Sequence, residues 1–188
     1  MPSFNTALIV IDAQESFHQR PYWSDAEAPA FFDRLQALID GAKARRIPIV
    51  QIFHVEETGA FSLAGGHVRT LAPLSLESDA IFHKRRHSAL VGNGLPVWLT
   101  GHGIRRLIVS GIRTEQCCET TTRHASDSGY DVDFVSEATL TFAMTGRDGR
   151  DWSPAEIRSR TELVLADRFA RIATVEQALD GAETRRAA

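Results

Sequence analysis

Five consecutive apolar residues, Ala7-Leu8-Ile9-Val10-Ile11, constrain this chain more than any other feature. Strand side chains alternate between two faces, so a strand with no polar residue on either face must be covered on both. The pattern recurs in Ile47-Pro48-Ile49-Val50-Gln51-Ile52-Phe53 and Arg106-Leu107-Ile108-Val109-Ser110-Gly111. Pro48 stands at a strand entrance, where a missing donor is tolerated. Shorter strands are expected over 80–84, 130–135 and 172–175. Between them lie helical patterns: 30–45, with Phe31, Leu35, Leu38, Ile39 and Ala42 on one face, then 95–101, 114–128 and 154–170.

Strands alternating with helices predict a three-layer α/β/α Rossmann-like fold, a mainly parallel six-stranded sheet, and one domain over residues 1–188. Residues 56–78, with Gly59, Gly65, Gly66 and Pro73, show no period and read as a long loop of the kind that is often functional. The tail after Asp180 reads as frayed. In such sheets ligands bind beyond the carboxyl ends of the strands. Asp12, Lys84 and Cys117 stand at or just past three of those ends.

Composition narrows the function classes. The chain is 43% hydrophobic and 24% charged, near the globular average. Its net charge of −3 argues against a nucleic-acid partner. Met1-Pro2-Ser3-Phe4-Asn5 lacks a basic, then apolar, leader, and no early apolar run spans a bilayer, so a cytoplasmic protein with no membrane partner is expected. The two cysteines are neighbours and cannot staple distant parts of a fold. Of 21 basic residues only Lys43 and Lys84 are lysine.

Gly111-Ile112-Arg113-Thr114-Glu115-Gln116-Cys117 is the strongest local signal. With Thr114 as N-cap, Cys117 falls at the third helical position, where free N–H groups and the helix dipole favour a thiolate and can hold an oxyanion. Its thiol pKa is then expected below the usual ~8.5 of a free cysteine. An inert packed thiol is the alternative for Cys117 alone. Cys118 would bond back to the Thr114 carbonyl and face packing. Asp12 alone reads as a cap or an acid–base group. Lys84 opens the run Lys84-Arg85-Arg86-His87, which alone reads as a solvated basic patch, although a lysine, unlike an arginine, can be tuned by burial and neighbouring charge.

These residues resemble the isochorismatase-like cysteine hydrolases, which include nicotinamidases and N-carbamoylsarcosine amidases. Asp12-Ala13-Gln14-Glu15-Ser16-Phe17 looks like the family's D-x-Q-x-x-F opening. Lys84 followed by Ser88-Ala89-Leu90 is similar to its lysine and Ser-Ala-Phe segment. Gly111-x-x-Thr114-x-x-Cys117-x-x-x-Thr121 matches its cysteine segment, with Cys118 where valine is common. Val135-Ser136-Glu137-Ala138-Thr139 resembles a later D-A-T segment, with Glu137 for the aspartate. The resemblance runs from about Ala7 to Val175.

The resemblance implies Cys117 as nucleophile, Asp12 as general base and Lys84 as the cation that tunes both. It implies a cis peptide before Arg113 and an oxyanion hole from the N–H groups of Arg113 and Cys117. The reaction implied is hydrolysis of a small-molecule amide or carbamoyl C–N bond through a thioester. Phe17, Tyr22, Trp23, His54 and Arg113 are candidate substrate-binding residues, and Arg113 serves either an anionic substrate or a subunit interface. A homo-oligomer, dimer or tetramer, is expected. Nicotinamidases carry an Asp-x-His metal pair after the second strand. Here Ile52 precedes His54 by two, and His54, His83 and His87 show no ligand spacing, so neither metal nor cofactor is expected. Alternatives are an isochorismatase-type vinyl ether hydrolase, a non-catalytic oligomerising binding module, or a nucleotide-binding flavodoxin-like module. The last lacks a glycine after strand one to cradle phosphate.

Overall fold

The computed structural model describes residues 5–184, with side chains through Gly181. The expected leaderless start at Met1–Phe4 and the last four residues lie outside them. Six strands form one sheet: β1 (Thr6–Ile11), β2 (Ile49–His54), β3 (Ala80–Lys84), β4 (Arg106–Ile112), β5 (Asp131–Leu140) and, omitting for now a small hairpin, a two-residue edge strand Arg171–Ile172. The spatial order is β3-β2-β1-β4-β5-edge, and every pairing is parallel. The hairpin consists of β6 (Met144–Thr145) and β7 (Asp151–Trp152), antiparallel, which makes the edge strand β8.

Both faces of β1 are covered, as its sequence requires. Leu8 and Val10 point into one core with Phe31, Leu35, Leu38 and Ile39 of α1 (Ala28–Ala44). Ala7, Ile9 and Ile11 point into the other, with Leu95 and Leu99 of α2 (Leu95–Gly101), Ala125 of α3 (Glu119–Asp127) and Leu165 of α4 (Pro154–Leu165). Val175, Ala178 and Leu179 of α5 (Val175–Thr184) close the first core beside α1. The fold is the three-layer sandwich expected.

Several boundaries move. Helix 154–170 stops at Leu165, because the chain turns through a left-handed Asp167, φ 59°. Its start is fixed by a capping box: Ser153 Oγ accepts from the Glu156 N–H, and Glu156 accepts from the Ser153 N–H. Strand 130–135 runs on to Leu140 through a register shift beside Val109 and Gly111. The predicted strand 172–175 is only Arg171–Ile172, and Val175 opens α5, so the described tail is helical rather than frayed from Asp180. Glu137 Oε1 accepts the Val175 N–H at 2.7 Å, satisfying a donor that a helix start leaves open. Loop 56–78 contains two 3-10 turns, Gly59–Phe61 and Leu63–Gly65. It is tied to the segment after β1 by Leu71 N–H to Ala13 O and Ser16 Oγ to His67 O, each 3.0 Å.

β1 and β4 touch most closely where Ile11 pairs with Gly111. Gly111 has φ 122°, and a Cβ there would lie 1.9 Å from the Ile11 carbonyl oxygen. Only glycine lets the two strand ends meet, one residue before Asp12. Gly111→Ala is expected to cost about 3 kcal/mol or more, from backbone strain and overpacking together. Gly129→Ala, at φ 87° with nothing within 4 Å, carries only the strain and should cost about 1 kcal/mol. Urea unfolding of both variants separates the two contributions; equal losses would remove the close approach as the reason for Gly111.

Candidate active site

Four parallel strands, β3-β2-β1-β4, end side by side and deliver the polar groups. Asp12 follows β1 in a left-handed conformation, φ 50°, which aspartate tolerates better than most residues. Lys84 ends β3 and is paired in register with His54, which ends β2. Cys117 lies past β4, in a π-type turn Thr114–Cys118 that leads into α3. The Lys84 ammonium sits among all of them: 2.6 Å from Asp12 Oδ2, 3.3 Å from Cys117 Sγ and 3.3 Å from His54 Nδ1. The Lys84 and Asp12 side chains are 0% and 1% exposed. Both Asp12 carboxylate oxygens are buried without a regular hydrogen bond among the described residues, so Oδ2 is held to Lys84 as an ion pair.

Burial alone would lower the Lys84 pKa, but the charges of Asp12 and Cys117 and their hydrogen bonds outweigh it and raise it. The Cys117 thiol behaves oppositely to the sequence expectation. Burial, then the Asp12 charge, push it up to about 12, against the pull of Lys84. The dipole of a helix start is too weak to offset that desolvation. His54 is held below its ordinary value by burial and then by the Lys84 charge. Cys118 is fully buried, and burial raises its thiol well above the usual range. It packs among Ile11, Leu99 and Phe134, as expected of a structural thiol.

The helix register is also corrected. Thr114 is not the N-cap: its hydroxyl shares a 2.8 Å hydrogen bond with Thr139, whose own hydroxyl donates to Ser136 O. Arg113 occupies the cap position, Thr114 opens the turn and Cys117 is the fourth residue in it, not the third. The Cys118 N–H bonds to the Arg113 carbonyl, not to that of Thr114. The Ile112–Arg113 peptide is cis.

Other motif residues hold the frame. Gln14 grips the backbone of His54 on both sides, its Oε1 accepting the N–H at 2.8 Å and its Nε2 donating to the C=O at 3.1 Å. Thr121 Oγ1 accepts the Ala89 N–H at 2.9 Å, and Ser88 Oγ contacts His124 Nδ1 at 2.9 Å. These bonds pin the loop after Lys84 onto the helix that follows Cys117.

Phe17, Tyr22 and Trp23 converge on Phe142, with ring centroids 6.3, 5.2 and 5.4 Å away. Phe17 is buried, and only Tyr22, at 38%, is well exposed. The Arg113 guanidinium lies over Tyr22 and pairs with Glu115 at 3.0 Å, so its charge already has a partner within the chain. Sequence reading missed His87, whose Nδ1 is 3.8 Å from Cys117 Sγ, and Phe142, the hub of the aromatic cluster. A cavity of about 560 Å³ is lined by His54, Val55, Glu56, Glu57, Arg85, Arg86 and His87; it reaches the site through His54, which contacts Lys84, and His87, which contacts Cys117.

The metal pair of nicotinamidases does not fit here. Ile52 offers no ligand, and the His54 nitrogen facing the site is met by a lysine ammonium. Among the described residues no three His, Cys, Asp or Glu side chains gather as a metal site would need, and no helix is long and apolar enough to cross a membrane.

A family model described as an isochorismatase domain matches residues 6–177. The chain is 24% identical over 179 residues to an uncharacterised isochorismatase family protein of Bacillus subtilis, covering 93% of this chain and 94% of that one. A shorter stretch of 64 residues is 39% identical to nicotinamidase 3 of Arabidopsis thaliana, 34% of this chain and 32% of that one. Among solved structures, a cysteine hydrolase from Pseudomonas syringae superposes with a TM-score of 0.87 at 21% identity, covering 98% and 95% of the two chains.

The two charges beside Cys117 act with opposite sign, and alkylation reads that sign directly. Asp12→Asn is expected to speed iodoacetamide labelling of Cys117 near pH 9 by about tenfold, one pKa unit of thiol. Lys84→Met should slow it. Peptide mass mapping should place the label on Cys117 and leave Cys118 unmodified in the folded protein. Labelling of Cys118 first would undo the assignment of the two thiols.

Proposed function

Because the chain belongs to the isochorismatase family, we propose that it is a cysteine-dependent hydrolase of the C–N bond in small-molecule amides or carbamoyl compounds. One observation carries the reading: a single buried ammonium touches both a carboxylate and a thiol at the carboxyl edge of the sheet. Cys117 Sγ attacks the carbonyl carbon while Asp12 takes the thiol proton. The negative charge on the carbonyl oxygen is held by the backbone N–H groups of Arg113 and Cys117. Asp12 returns the proton to the nitrogen, the C–N bond breaks and ammonia or an amine leaves. Water, deprotonated by Asp12, then attacks the thioester carbon, the C–S bond breaks to release the acid, and Asp12 returns the proton to the Cys117 sulfur.

Cleavage of a vinyl ether needs a general acid and no thiol. The thiol held against Lys84 therefore supports acyl transfer over that alternative. A small-molecule substrate fits the cavity beside His54 and His87. A homo-oligomer belongs to the same reading and is supported by the family resemblance alone.

A screen of small amides and carbamoyl compounds for ammonia release tests the class. Cys117→Ser should fold and lose turnover; Cys118→Val should keep most of it. Lys84→Ala should lose at least ~2 kcal/mol of transition-state stabilisation, and Lys84→Arg should not restore it, since the guanidinium is larger and fixed in charge. Turnover should survive exhaustive chelation. Ammonia release that is unchanged in Cys117→Ser would refute the nucleophile.

A further inference from the structure

An ammonium group has three hydrogens to donate and no lone pair to accept with. At Lys84 three groups stand within reach: Asp12 Oδ2 as an ion pair at 2.6 Å, and Cys117 Sγ and His54 Nδ1 as hydrogen-bond partners at 3.3 Å each. The first two belong to the proposed chemistry. The third does not, and it sets the direction of the others, because the three N–H bonds diverge at fixed angles.

We propose that His54 is a positioning residue for Lys84: its Nδ1 accepts the third ammonium hydrogen and so aims the other two at Asp12 and Cys117. The inference rests on the reading of Cys117 and Lys84 given above. Since Lys84 can only donate, the His54 Nδ1 carries a lone pair. The neutral ring therefore keeps its hydrogen on Nε2, which faces Glu56 Oε1 at 3.7 Å.

The ring is well held for this task. Gln14 fixes the His54 backbone from both sides, the Phe61 ring packs edge-on at 5.8 Å, and the side chain is 19% exposed. The charged and titratable groups facing it are Lys84 from β3, Asp12 from the end of β1, His87 from the loop after β3, Arg20 from the turn after β1 and Glu56 from its own loop. Burial, Lys84, His87 and Arg20 all oppose a second proton on the ring, and Asp12 favours one. A protonated His54 would set two donors against each other at 3.3 Å and release Lys84 from its aim. The same contact accounts for a histidine at this strand end without a metal.

Two measurements on the full chain test this without any substrate, so an empty amide screen would leave it standing, and its own failure would leave the proposed function standing. Long-range proton–nitrogen correlation spectra of nitrogen-15-labelled protein at neutral pH, with His54 assigned by its loss in His54→Asn, should show the Nε2–H tautomer. An Nδ1–H tautomer overturns the proposal. The rate of Cys117 alkylation by iodoacetamide near pH 8 should fall about tenfold in His54→Ala, the scale of one lost hydrogen bond to a charged group. His54→Asn puts an amide oxygen close to the place of Nδ1 and should restore most of the rate. His54→Gln, whose oxygen reaches too far, should not, and it stands in for the alanine variant if that one does not fold. Equal rates in all variants, or rescue by glutamine and not asparagine, would show that His54 lines the cavity without aiming Lys84.

Discussion

Lys84 and Asp12 place opposite charges 2.6 Å apart where neither side chain is more than 1% exposed. An isolated ion of either kind in such a place is costly by many kcal/mol, and removing one partner of a buried pair typically costs about 3–5 kcal/mol. Apolar side chains of similar volume would serve the fold as well or better. The pair therefore makes sense only through what it does to a third group, and the third group in contact is the Cys117 thiol. Most of the polar detail around the site serves to keep this ion pair aligned.

The sheet order makes the alignment feasible. β1 lies between β2 and β4, with β3 beyond β2, so Asp12 stands midway between the lysine side and the cysteine side. Gly111 lets β4 close onto the end of β1, which no side chain would permit. The family motifs then resolve into mechanical parts. Gln14 ties the end of β1 to the end of β2, Thr121 ties the loop after β3 to the helix after β4, and Thr114 is tied to β5 through Thr139. The first two bonds join the strand ends that bear Asp12, His54, Lys84 and Cys117, and the third anchors the Cys117 turn to β5.

What the sequence made legible follows from where the signal lies. β1, buried on both faces, announces itself by composition; Asp12 just past it and Lys84 at the end of the half-exposed β3 stand at strand ends, but the family resemblance is what marks them out from a cap and a solvated basic patch. Other features depend on partners far along the chain. Thr114 looks like an N-cap until Thr139, in a different strand, claims its hydroxyl. The α5 start is legible and easily misread as a strand end: Thr174 and Gln177 form a capping box, Thr174 Oγ1 accepting the Gln177 N–H and Gln177 Oε1 the Thr174 N–H, and only the added bond from the Val175 N–H to Glu137 depends on a distant strand. His87 lies in a run of basic residues that looks solvated, and only the folded loop brings its ring to the sulfur. The sign of the thiol shift was misjudged for a related reason. A helix start is visible in a sequence, whereas the burial that outweighs it is not.

Burial and the Asp12 charge push the Cys117 thiol up to about 12, so the protonated thiol is the resting form near neutral pH. The chemistry therefore calls for a base that takes the proton as the sulfur attacks. The carboxylate that raises the thiol pKa is also the base to which the proposed reaction assigns its proton, so the two properties have one cause. As the proton moves, negative charge passes from a carboxylate oxygen to sulfur, and both atoms are in contact with the same ammonium. Lys84 therefore loses little electrostatic energy across the step and needs little rearrangement, which is the condition for a preorganised site. On the proposed reading that condition depends on the direction of the ammonium, and the 3.3 Å contact with His54 Nδ1 is the one that bears on it from outside the reacting groups.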